Sequence, residues 1–478
     1  MRSVGQRKQE QGVTILLVAV CLAALLAMAA LAIDVVTLYV ARTEAQRAAD
    51  AAALAGARML ASPGYISQSS SPTAADLCQN GGPGLAAANA QAGAAAAQNQ
   101  IAGQNVLPAN VTIACATPTP GNPQVTVTVQ RSGIPTFFAR IWGRTASSVS
   151  ATSTAEAYNP SGSTTPISVS GVKPWLLPNC DPTNTAPGNP VCSGSAYAYI
   201  VDPSSGAIEN TGATSLIGKT IALTHVTAGN QPNAHSVAGV NYLDYYRLDI
   251  PVNSSNLFCP STSAAASCSQ VGTDDYLDNI ACYSNNPTDT TLSTTNQFSC
   301  GQTIGAGQTV TVLSAGVNLG LKTNEGTQCL IHAGGAGLCQ DQDAFIPSGT
   351  SAPACTGPTP SGTSPVQIDG GNNNPNLALQ GVPNISRSDS VVTVPIFQGG
   401  AGGNLCPGGA CTQTGTIVGF LQLGITRTLN PADPPNPPNA NGKMEAVVLN
   451  VVGCNSSASG TPISGGGVSA VPVRLIHQ

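Results

Sequence analysis

Residues 13–33 read VTILLVAVCLAALLAMAALAI, an apolar stretch of 21 residues that carries no charged side chain. A helix rises about 1.5 Å per residue, so this stretch is about 31 Å long and matches the hydrocarbon core of a bilayer. The 12 residues before it carry three basic side chains and one acidic side chain, and basic flanks stay in the cytoplasm. We therefore expect residues 1–12 to form a cytoplasmic tail, residues 13–33 a single transmembrane helix, and the chain from Asp34 onward to lie outside the cytoplasm.

A cleaved signal peptide is the competing interpretation of this stretch. Ala30-Leu31-Ala32 has the small residues of a cleavage site. The apolar part of such peptides is only about 7–15 residues long, whereas the stretch here is longer. Its length favours a retained membrane anchor.

The cysteine count agrees with an ectodomain in an oxidising compartment. Of the 15 cysteines, Cys21 lies inside the apolar stretch and the other 14 follow it, which allows up to seven disulfides. The sequence does not give their connectivity. The candidates are Cys78, Cys115, Cys180, Cys192, Cys259, Cys268, Cys282, Cys300, Cys329, Cys339, Cys355, Cys406, Cys411 and Cys454. Closely spaced pairs that could close short loops are Cys180/Cys192, Cys259/Cys268, Cys329/Cys339 and Cys406/Cys411.

The helical pattern continues beyond the apolar stretch. Small or apolar residues recur at alternating steps of three and four, which is the spacing of a helix-packing seam. The seam residues are Leu38, Ala41, Ala45, Ala48, Ala52, Ala55 and Met59. A seam made mostly of alanine lets a second backbone approach closely. Two partners remain open: a second alanine-rich helix of the same chain near residues 84–104, or a helix of another subunit.

Residues 34–158 are predicted to form one unit, in which the long helix packs on a small antiparallel sheet. Alternating and β-branched stretches predict strands at residues 111–115, 125–129 and 147–158. Residues 135–142 (PTFFARIW) read as a short amphipathic helix with proline near its start. Residues 159–165 (NPSGSTT) have the composition of a linker.

Residues 166–478 are predicted to form a mostly-β, disulfide-rich ectodomain. Helical patterns are scarce here, and loops rich in proline, glycine and asparagine separate the apolar runs. The candidate strands are residues 196–201, 220–226, 245–250, 309–313, 391–397, 416–423, 446–452 and 468–476. The predicted fold class is therefore α+β: a transmembrane helix extended into a long alanine-rich helix on a small antiparallel sheet, followed by a β ectodomain.

The composition restricts the possible partners. Charged residues make up 8% of the 478 residues and the net charge is −5, whereas ordinary globular proteins carry about 25% charged residues. A chain with so few basic side chains is not suited to bind the phosphate backbone of nucleic acids. Hydrophobic residues reach 42%, which is enough to build apolar cores.

Several stretches of the chain resemble a known protein family. QGVTILLVAV at residues 11–20 and ALAIDVVTLYVARTEAQRAADAAALAGAR at residues 30–58 are similar to the N-terminal segment of TadG-like proteins of the bacterial tight-adherence (Tad/Flp) pilus assembly system. The shared details are the glycine before the apolar stretch, the aspartate after it, the Arg-x-Glu-x-Gln step and the alanine-rich run at 49–57. IPTFFARIWG and SVSATSTAEA also look like this family, so the resemblance extends over about residues 10–158.

The chain departs from the pattern in two motifs: a prepilin-processing motif, where Leu17 stands five residues after Gly12 in place of glutamate, and a metal motif. Many longer members carry a von Willebrand A domain with an Asp-x-Ser-x-Ser metal motif. The nearest match here, Asp202-Pro203-Ser204-Ser205-Gly206, has glycine at its last position. A turn that starts at Asp202 accounts for the same residues without a metal.

Two other patterns are weak candidates for a nucleotide or metal site. Residues 213–220 (ATSLIGKT) fit a relaxed P-loop pattern, but the residues that follow are typical of a strand, whereas a P-loop opens a helix. Cys329, His332 and Cys339 form a possible metal trio. In an oxidising compartment the two cysteines are expected to form disulfides instead.

Acidic clusters offer hard oxygen ligands of the kind that Ca²⁺ prefers. One cluster comprises Asp274, Asp275 and Asp278 with Asn279, and a second comprises Asp341 and Asp343. Such clusters are more often solvated loop charges, and we assign no cofactor or metal to the chain.

The resemblance implies a membrane-anchored structural or assembly component of a Tad/Flp-type pilus or related secretion apparatus, and not an enzyme. The implied partners are the lipid bilayer and other pilus-assembly subunits. The implied location is the bacterial inner membrane, with a single pass and the C-terminal ectodomain in the periplasm or outside the cell. The alternative is a membrane-tethered extracytoplasmic hydrolase, although the sequence shows no Gly-x-Ser-x-Gly and no His-Glu-x-x-His.

Overall fold

A computed structural model describes most of the chain. The described residues are 4–61, 78, 83–116, 122–183, 192, 198–209, 216–226, 230–237, 240–250, 268, 271–272, 274–282, 297–308, 310–313, 319–334, 341–347, 366–383, 385, 388–399, 403–429, 442–464 and 470–476. The helices are α1 (Val4–Ala61), α2 (Pro83–Ala97), α3 (Asp275–Ala281) and α4 (Leu319–Leu330). The strands are β1 (Gln100–Ile101), β2 (Gln104–Asn105), β3 (Val111–Ala116), β4 (Gln124–Pro135), β5 (Ala146–Ala157), β6 (Ile167–Val169), β7 (Trp175–Pro178), β8 (Thr220–His225), β9 (Ala234–Val237), β10 (Val240–Asp249), β11 (Phe298–Ser299), β12 (Thr303–Gly305), β13 (Thr311–Leu313), β14 (Ala344–Pro347), β15 (Val366–Asp369), β16 (Val391–Gly399), β17 (Thr414–Thr428), β18 (Met444–Gly453), β19 (Ile463–Ser464) and β20 (Val473–Ile476).

Helix α1 is one continuous rod of 58 residues, about 87 Å long at the standard helical rise. The apolar stretch in its first half is largely exposed, Asp34 is the first buried residue after this stretch, and from Ala41 onward one face is buried. The change coincides with the change in composition, because the seam alanines begin where the large apolar side chains end. The predicted extension of the apolar helix into an alanine-rich helix is confirmed.

The buried half of α1 packs on a four-stranded antiparallel sheet and on α2. The strand order is β20-β5-β4-β3. Strand β4 alternates between buried and partly exposed positions, and its buried residues Val125, Val127 and Val129 are fully inaccessible to solvent. This alternation is what a half-buried strand requires, and the predicted helix-on-sheet arrangement is confirmed.

The second helix and the 135–142 segment differ from their predicted extents. The alanine-rich region predicted near residues 84–104 forms α2 only as far as Ala97, because the chain then turns into the β1–β2 hairpin. The amphipathic helix predicted at residues 135–142 is wrong: β4 runs to Pro135, and only Ala139–Trp142 form a single 3-10 turn. Gly143 ends that turn in the left-handed conformation (φ 81°).

Six strands beyond residue 170 close into a barrel. Their order is β17-β16-β7-β10-β8-β18, and the barrel closes because β18 also pairs with β17. The β16–β7 and β10–β8 pairs are parallel and the remaining neighbours are antiparallel. Closure leaves none of these six strands as a free edge in the ring.

Alternate residues of the six strands form one apolar cluster, which identifies the interior of the barrel. In β7, Trp175 and Leu177 belong to this cluster, whereas Leu176 packs in the cluster that includes the buried face of α1. Helices α3 and α4 contribute Tyr276 and Leu330 to the interior cluster. The predicted mostly-β character of the ectodomain is confirmed, although neither α3 nor α4 was predicted.

One predicted strand in this region is wrong. In residues 196–201, the described part, 198–201, forms no strand, and Val201 makes only an isolated bridge with Ile208. Asn179 accounts for this local structure, because its side chain binds the backbone of Ile200 and Val201 in place of a neighbouring strand.

Five disulfides are present among the described residues: Cys78–Cys115, Cys180–Cys192, Cys268–Cys329, Cys300–Cys454 and Cys406–Cys411. Cys282 is also disulfide-bonded, and Cys21 in α1 is a free thiol. The suggested short-loop pairs Cys259/Cys268 and Cys329/Cys339 are wrong, because Cys268 bonds to Cys329. Helices α3 and α4 pack against each other, and their packing brings these two distant cysteines together. Cys259, Cys339 and Cys355 lie outside the described residues.

The C-terminal part of the chain contacts the N-terminal helix-and-sheet unit in two places. Strand β20, at the C-terminal end, pairs with β5 of the N-terminal sheet. Asn450 of the barrel strand β18 donates a hydrogen bond to the carbonyl of Ala61 at the end of α1 (2.6 Å). The division at residues 159–165 stays a prediction, and β20 lies on the far side of it.

Candidate functional site

The first candidate surface is the exposed apolar part of α1. Its large side chains are more than half exposed over several helical turns: Val13, Ile15, Leu16, Leu17, Val18, Val20, Leu22, Leu25, Leu26, Met28, Leu31, Ile33, Val35, Val36 and Tyr39. A water-soluble surface does not normally expose a contiguous patch of this size. Among the described helices, this one alone is long and apolar enough to cross a membrane.

The seam residues lie further along the same helix, on the face of its second half that is buried. Ala41, Ala45, Ala48, Ala52 and Met59 are buried within the chain, and Leu38 and Ala55 are partly buried. They pack against the chain's own β4, β5 and α2. Of the two partners left open by the sequence, the described structure places the helix of the same chain on this face.

Gly56 shows how close this packing is. A Cβ atom built at Gly56 would lie 2.8 Å from Cγ1 of Val125 and 3.3 Å from both the carbonyl oxygen of Ala88 and the Cβ of Ala92. Any side chain would therefore have to displace either a stiff valine or the backbone of α2. Gly93 on α2 offers a contrast, because its Cβ would meet nothing within 4 Å.

These two glycines give a matched test of the packing. Alanine gains up to about 1 kcal/mol of helix propensity over glycine, and this gain is common to Gly56→Ala and Gly93→Ala. Overpacking, which costs about 1–3 kcal/mol, applies only at Gly56. We expect the free energy of unfolding of the Gly56→Ala chain to lie about 1–3 kcal/mol below that of Gly93→Ala, measured by thermal unfolding of the full-length chain in detergent. Equal stability of the two variants would show that the α1–α2 contact is loose.

Asp34 joins the end of the apolar stretch to the loop after β4. Its side chain is 4% exposed. Its carboxylate accepts hydrogen bonds from the backbone N–H groups of Phe137 (2.8 Å), Phe138 (3.0 Å) and Ala139 (2.6 Å). Burial raises the pKa of Asp34, but the three backbone donors outweigh that effect and hold the pKa below its usual value. The charged carboxylate therefore ties the loop to α1.

The Arg-x-Glu-x-Gln step at residues 42–46 serves a similar purpose about two to three turns further along the helix. Glu44 accepts the backbone N–H of Ala102 in the β1–β2 turn (2.7 Å). Gln46 donates to the carbonyl of Thr152 in β5 (3.4 Å) and to Asp50 (2.8 Å). Arg42 is exposed. Two of the three polar residues in this step thus fasten the helix to the chain's own loops and sheet.

Sequence reasoning named these polar residues but not what they do. The signal for Asp34 was present, since a single carboxylate at the end of a 21-residue apolar stretch is costly unless it is paired. Its partners are backbone N–H groups more than 100 residues away, and a backbone donor leaves no mark in the amino-acid sequence.

The Asp202 motif forms a turn. Asp202 accepts hydrogen bonds from the hydroxyl and backbone of Ser204 and from the backbone of Ser205. These bonds, that of the Ser204 hydroxyl above all, lower the pKa of Asp202 to about 2. Glycine at position 206 is required by the backbone, which has φ 72° and would place a Cβ 2.5 Å from the backbone nitrogen of Asn455.

The other weak candidates have structural roles among the described residues. Gly218 and Lys219 lead into strand β8 at Thr220, so no helix follows the P-loop-like pattern; residues 213–215 lie outside the described residues. Cys329 is bonded to Cys268, and the Nε2 atom of His332 lies 3.1 Å from a carboxylate oxygen of Asp389. His235 and His477 are among the residues whose side chains are not described.

The acidic clusters are used in local hydrogen bonds. Asp274 caps the N-terminus of α3 and pairs with Lys322, and Asp278 accepts the backbone N–H of Gly272. Asp343 accepts bonds from Gly371, Asn374 and Ser388. Within the described part of the chain, no group of three or more His, Cys, Asp or Glu side chains is arranged to hold a metal ion.

Comparison with known families identifies the membrane-proximal helix. Residues 12–59 match the family described as putative Flp pilus-assembly TadE/G-like. The match begins at the glycine before the apolar stretch and includes Asp34, the Arg-x-Glu-x-Gln step and Gly56, so the resemblance of this segment to TadG-like proteins is confirmed. It does not extend to the 134–157 region, which the sequence also likened to the family. No curated protein and no solved structure matches the chain.

Proposed function

We propose that this chain is a single-pass, non-catalytic component of a Tad/Flp-type pilus assembly apparatus, anchored in the bacterial inner membrane with its ectodomain in the periplasm or outside the cell. A membrane-anchored pilus-assembly component is what the TadE/G-like segment and the apolar helix support together.

The main support for this proposal is the difference between the two halves of α1. One half of the helix exposes a continuous apolar surface, while the other half is buried in the chain's own sheet and is fastened there by Asp34, Glu44 and Gln46. One continuous helix of this kind fixes the position of the ectodomain relative to the membrane. Within the exposed half, the uncharged residues 13–33 are about 31 Å long, which matches the bilayer core of about 30 Å.

The disulfides support an ectodomain outside the cytoplasm. At least 11 of the 14 cysteines beyond the apolar stretch are paired, as the five described bridges and Cys282 together show. Such bridges persist in oxidising compartments and are rare in the cytosol. They agree with the direction that the basic N-terminal flank gives.

The surfaces of α1 that remain for another subunit are the apolar span itself and the polar face beside the seam. That polar face carries Arg42, Thr43, Arg47 and Arg58, all exposed. Because the alanine seam is already occupied by α2 and the sheet, we propose that pilus-assembly subunits contact these two surfaces and not the seam.

Protease digestion of spheroplasts tests the orientation. A C-terminal epitope tag is expected to be lost from intact spheroplasts, because the chain beyond Asp34 lies outside, while a cytoplasmic marker protein stays intact. The remaining N-terminal fragment is expected to pellet with membranes. Protection of the tag until the cells are lysed, or release of a soluble form that begins near Ile33, would contradict the proposal.

A further inference from the structure

The loop between β4 and β5 exposes large apolar side chains next to the end of the apolar span. Phe137, Ile141 and Trp142 are 59%, 73% and 63% exposed. Arg140 and Arg144 lie between and beside them and are also exposed. Exposed aromatic and aliphatic side chains grouped within six residues are unusual on a surface that faces only water.

The loop has a fixed shape. The backbone N–H of Arg144 donates to the carbonyl of Ala139 (3.1 Å), and Gly143 closes the 3-10 turn in a left-handed conformation. The Thr136 hydroxyl donates to the carbonyl of Arg144. The apolar side chains are therefore presented outward by a closed turn, and their exposure is built into the backbone.

Asp34 fixes the depth of this turn relative to the membrane. Asp34 directly follows the last residue of the apolar stretch and accepts three backbone N–H groups from the loop. With residues 13–33 across the hydrocarbon core, Asp34 lies at its edge. The headgroup layer adds about 5–8 Å on each side of the core, which is the layer that a turn held by Asp34 occupies.

The exposed side of α1 carries matching residues at the same level. Val35, Val36 and Tyr39 are exposed just beyond the span. Exposed apolar side chains of α1 thus lie at the same level of the helix as the turn that Asp34 holds. Tryptophan and tyrosine are enriched at this level in membrane proteins because their rings are apolar and their polar atoms reach water.

We propose that the loop from Phe137 to Trp142 is a second membrane contact, inserted into the headgroup layer of the outer leaflet beside α1. Arg140 and Arg144 then lie at the level of the lipid phosphates, which guanidinium groups bind well. Two contacts, one transmembrane and one interfacial, fix the tilt and the rotation of the ectodomain on the bilayer. This inference rests on the proposed anchoring of α1 in the membrane.

Tryptophan fluorescence tests the contact directly, because the chain has only two tryptophans. Trp175 is fully buried inside the barrel and serves as an internal reference. The full-length chain is reconstituted into vesicles of phosphatidylethanolamine and phosphatidylglycerol whose acyl chains are brominated near the headgroup. We expect the bromine atoms to quench the emission of Trp142, and Trp142→Phe to abolish the quenching while the emission of Trp175 stays unchanged.

Two substitutions test whether Asp34 positions the loop. Asp34→Ala removes the acceptor of the three N–H groups and is expected to reduce the quenching of Trp142. Asp50→Ala removes a carboxylate of the same helix that does not contact the loop, and is expected to leave the quenching unchanged. Unchanged quenching in Asp34→Ala would overturn the positioning role.

Flotation of the vesicles separates this inference from the proposed function. If the chain floats with the vesicles and Trp142 is not quenched, α1 is anchored but the loop does not touch lipid, and the inference is wrong. A photo-crosslinker at position 142 that captures a protein in cells and no lipid would also overturn it, in favour of a partner subunit. If the chain does not float at all, both the anchoring and the loop contact are wrong.

Discussion

Replacing Cys300 and Cys454 together by serine is expected to destabilise the chain much more than replacing Cys406 and Cys411. The first bridge joins residues 154 positions apart and the second only five. In the chain-entropy account, the long loop contributes about 5 kcal/mol and the short loop about 2 kcal/mol, because a cross-link restricts the unfolded chain more when it spans more residues. Cys300–Cys454 also ties the loop after β11 to the end of the barrel strand β18.

The two double variants are a matched pair, since each replaces two cysteines by two serines. Their thermal unfolding is compared in the full-length, unreduced chain in detergent, with wild type as the reference. The Cys300/Cys454 variant is expected to unfold at the lowest temperature, and it is the one most exposed to proteolysis. Equal losses in the two variants, or a larger loss in the Cys406/Cys411 variant, would show that the long bridge does not carry the expected share of the stability.

Lys173→Met is the second change with a large expected effect. The Nζ atom of Lys173 is buried and donates to the carbonyls of Asn279 (3.2 Å), Ile280 (2.7 Å) and Cys282 (2.9 Å) at the C-terminal end of α3. Methionine has a similar length but no donor. Each buried carbonyl left without a partner costs about 1–3 kcal/mol. Above its pKa the neutral lysine amine has two N–H groups to donate, so two carbonyls lose a partner, and we expect a total loss of about 2–5 kcal/mol at pH 8 on that basis.

The loss in Lys173→Met is expected to depend on pH. Burial lowers the pKa of Lys173 to about 7, and the nearby charge of Asp389 opposes that effect. Between that pKa and about 10.4, the value in the unfolded chain, the unfolded state binds more protons than the native state. The stability of the wild type therefore rises with pH in this window, by at most about 1.4 kcal/mol per pH unit.

The difference in stability between wild type and Lys173→Met isolates this group from the other titrating residues. We expect the difference to be larger at pH 9 than at pH 6, as measured by thermal unfolding at both values. Glu325→Gln is a suitable control for the loss of one charge on the neighbouring helix α4. A difference that does not change with pH, or that is larger at pH 6, would show that Lys173 stays charged in its buried site.

The sequence predicted the parts of the fold that local patterns determine. The length of α1 follows from an uncharged stretch and a repeating step of three and four residues. Strand β4 follows from the alternation of valine and threonine at residues 125–129. In both cases the residues that form the pattern lie within one element, so the element can be predicted without knowing which distant residues contact it.

The parts that the sequence did not predict depend on distant partners. Nothing in residues 473–476 indicates that they pair with β5, more than 300 residues earlier. Closure of the barrel depends on the pairing of β17 with β18, whose register shifts at two places. The Cys268–Cys329 bridge likewise depends on the packing of α3 on α4, two helices that were not predicted.

The contact between Asp34 and the loop after β4 also depends on distant partners that the sequence does not reveal. Asp34 is part of the pattern that the chain shares with the family, whereas its partners are backbone N–H groups that any sequence carries. The pattern of residues 135–142, with proline near the start, predicts a short amphipathic helix, and that prediction is wrong. The apolar side chains of this segment are nevertheless exposed together, which is the property that the proposed membrane contact uses.

Deletion of the gene, followed by counting of surface pili, tests the central claim most directly. If the chain is a membrane-anchored component of the pilus assembly apparatus, cells without it are expected to lose their Tad/Flp-type pili. The full-length chain supplied on a plasmid should restore them, whereas a chain in which residues 13–33 are replaced by a cleavable signal peptide should not. A deletion strain that carries as many pili as its parent would contradict the account.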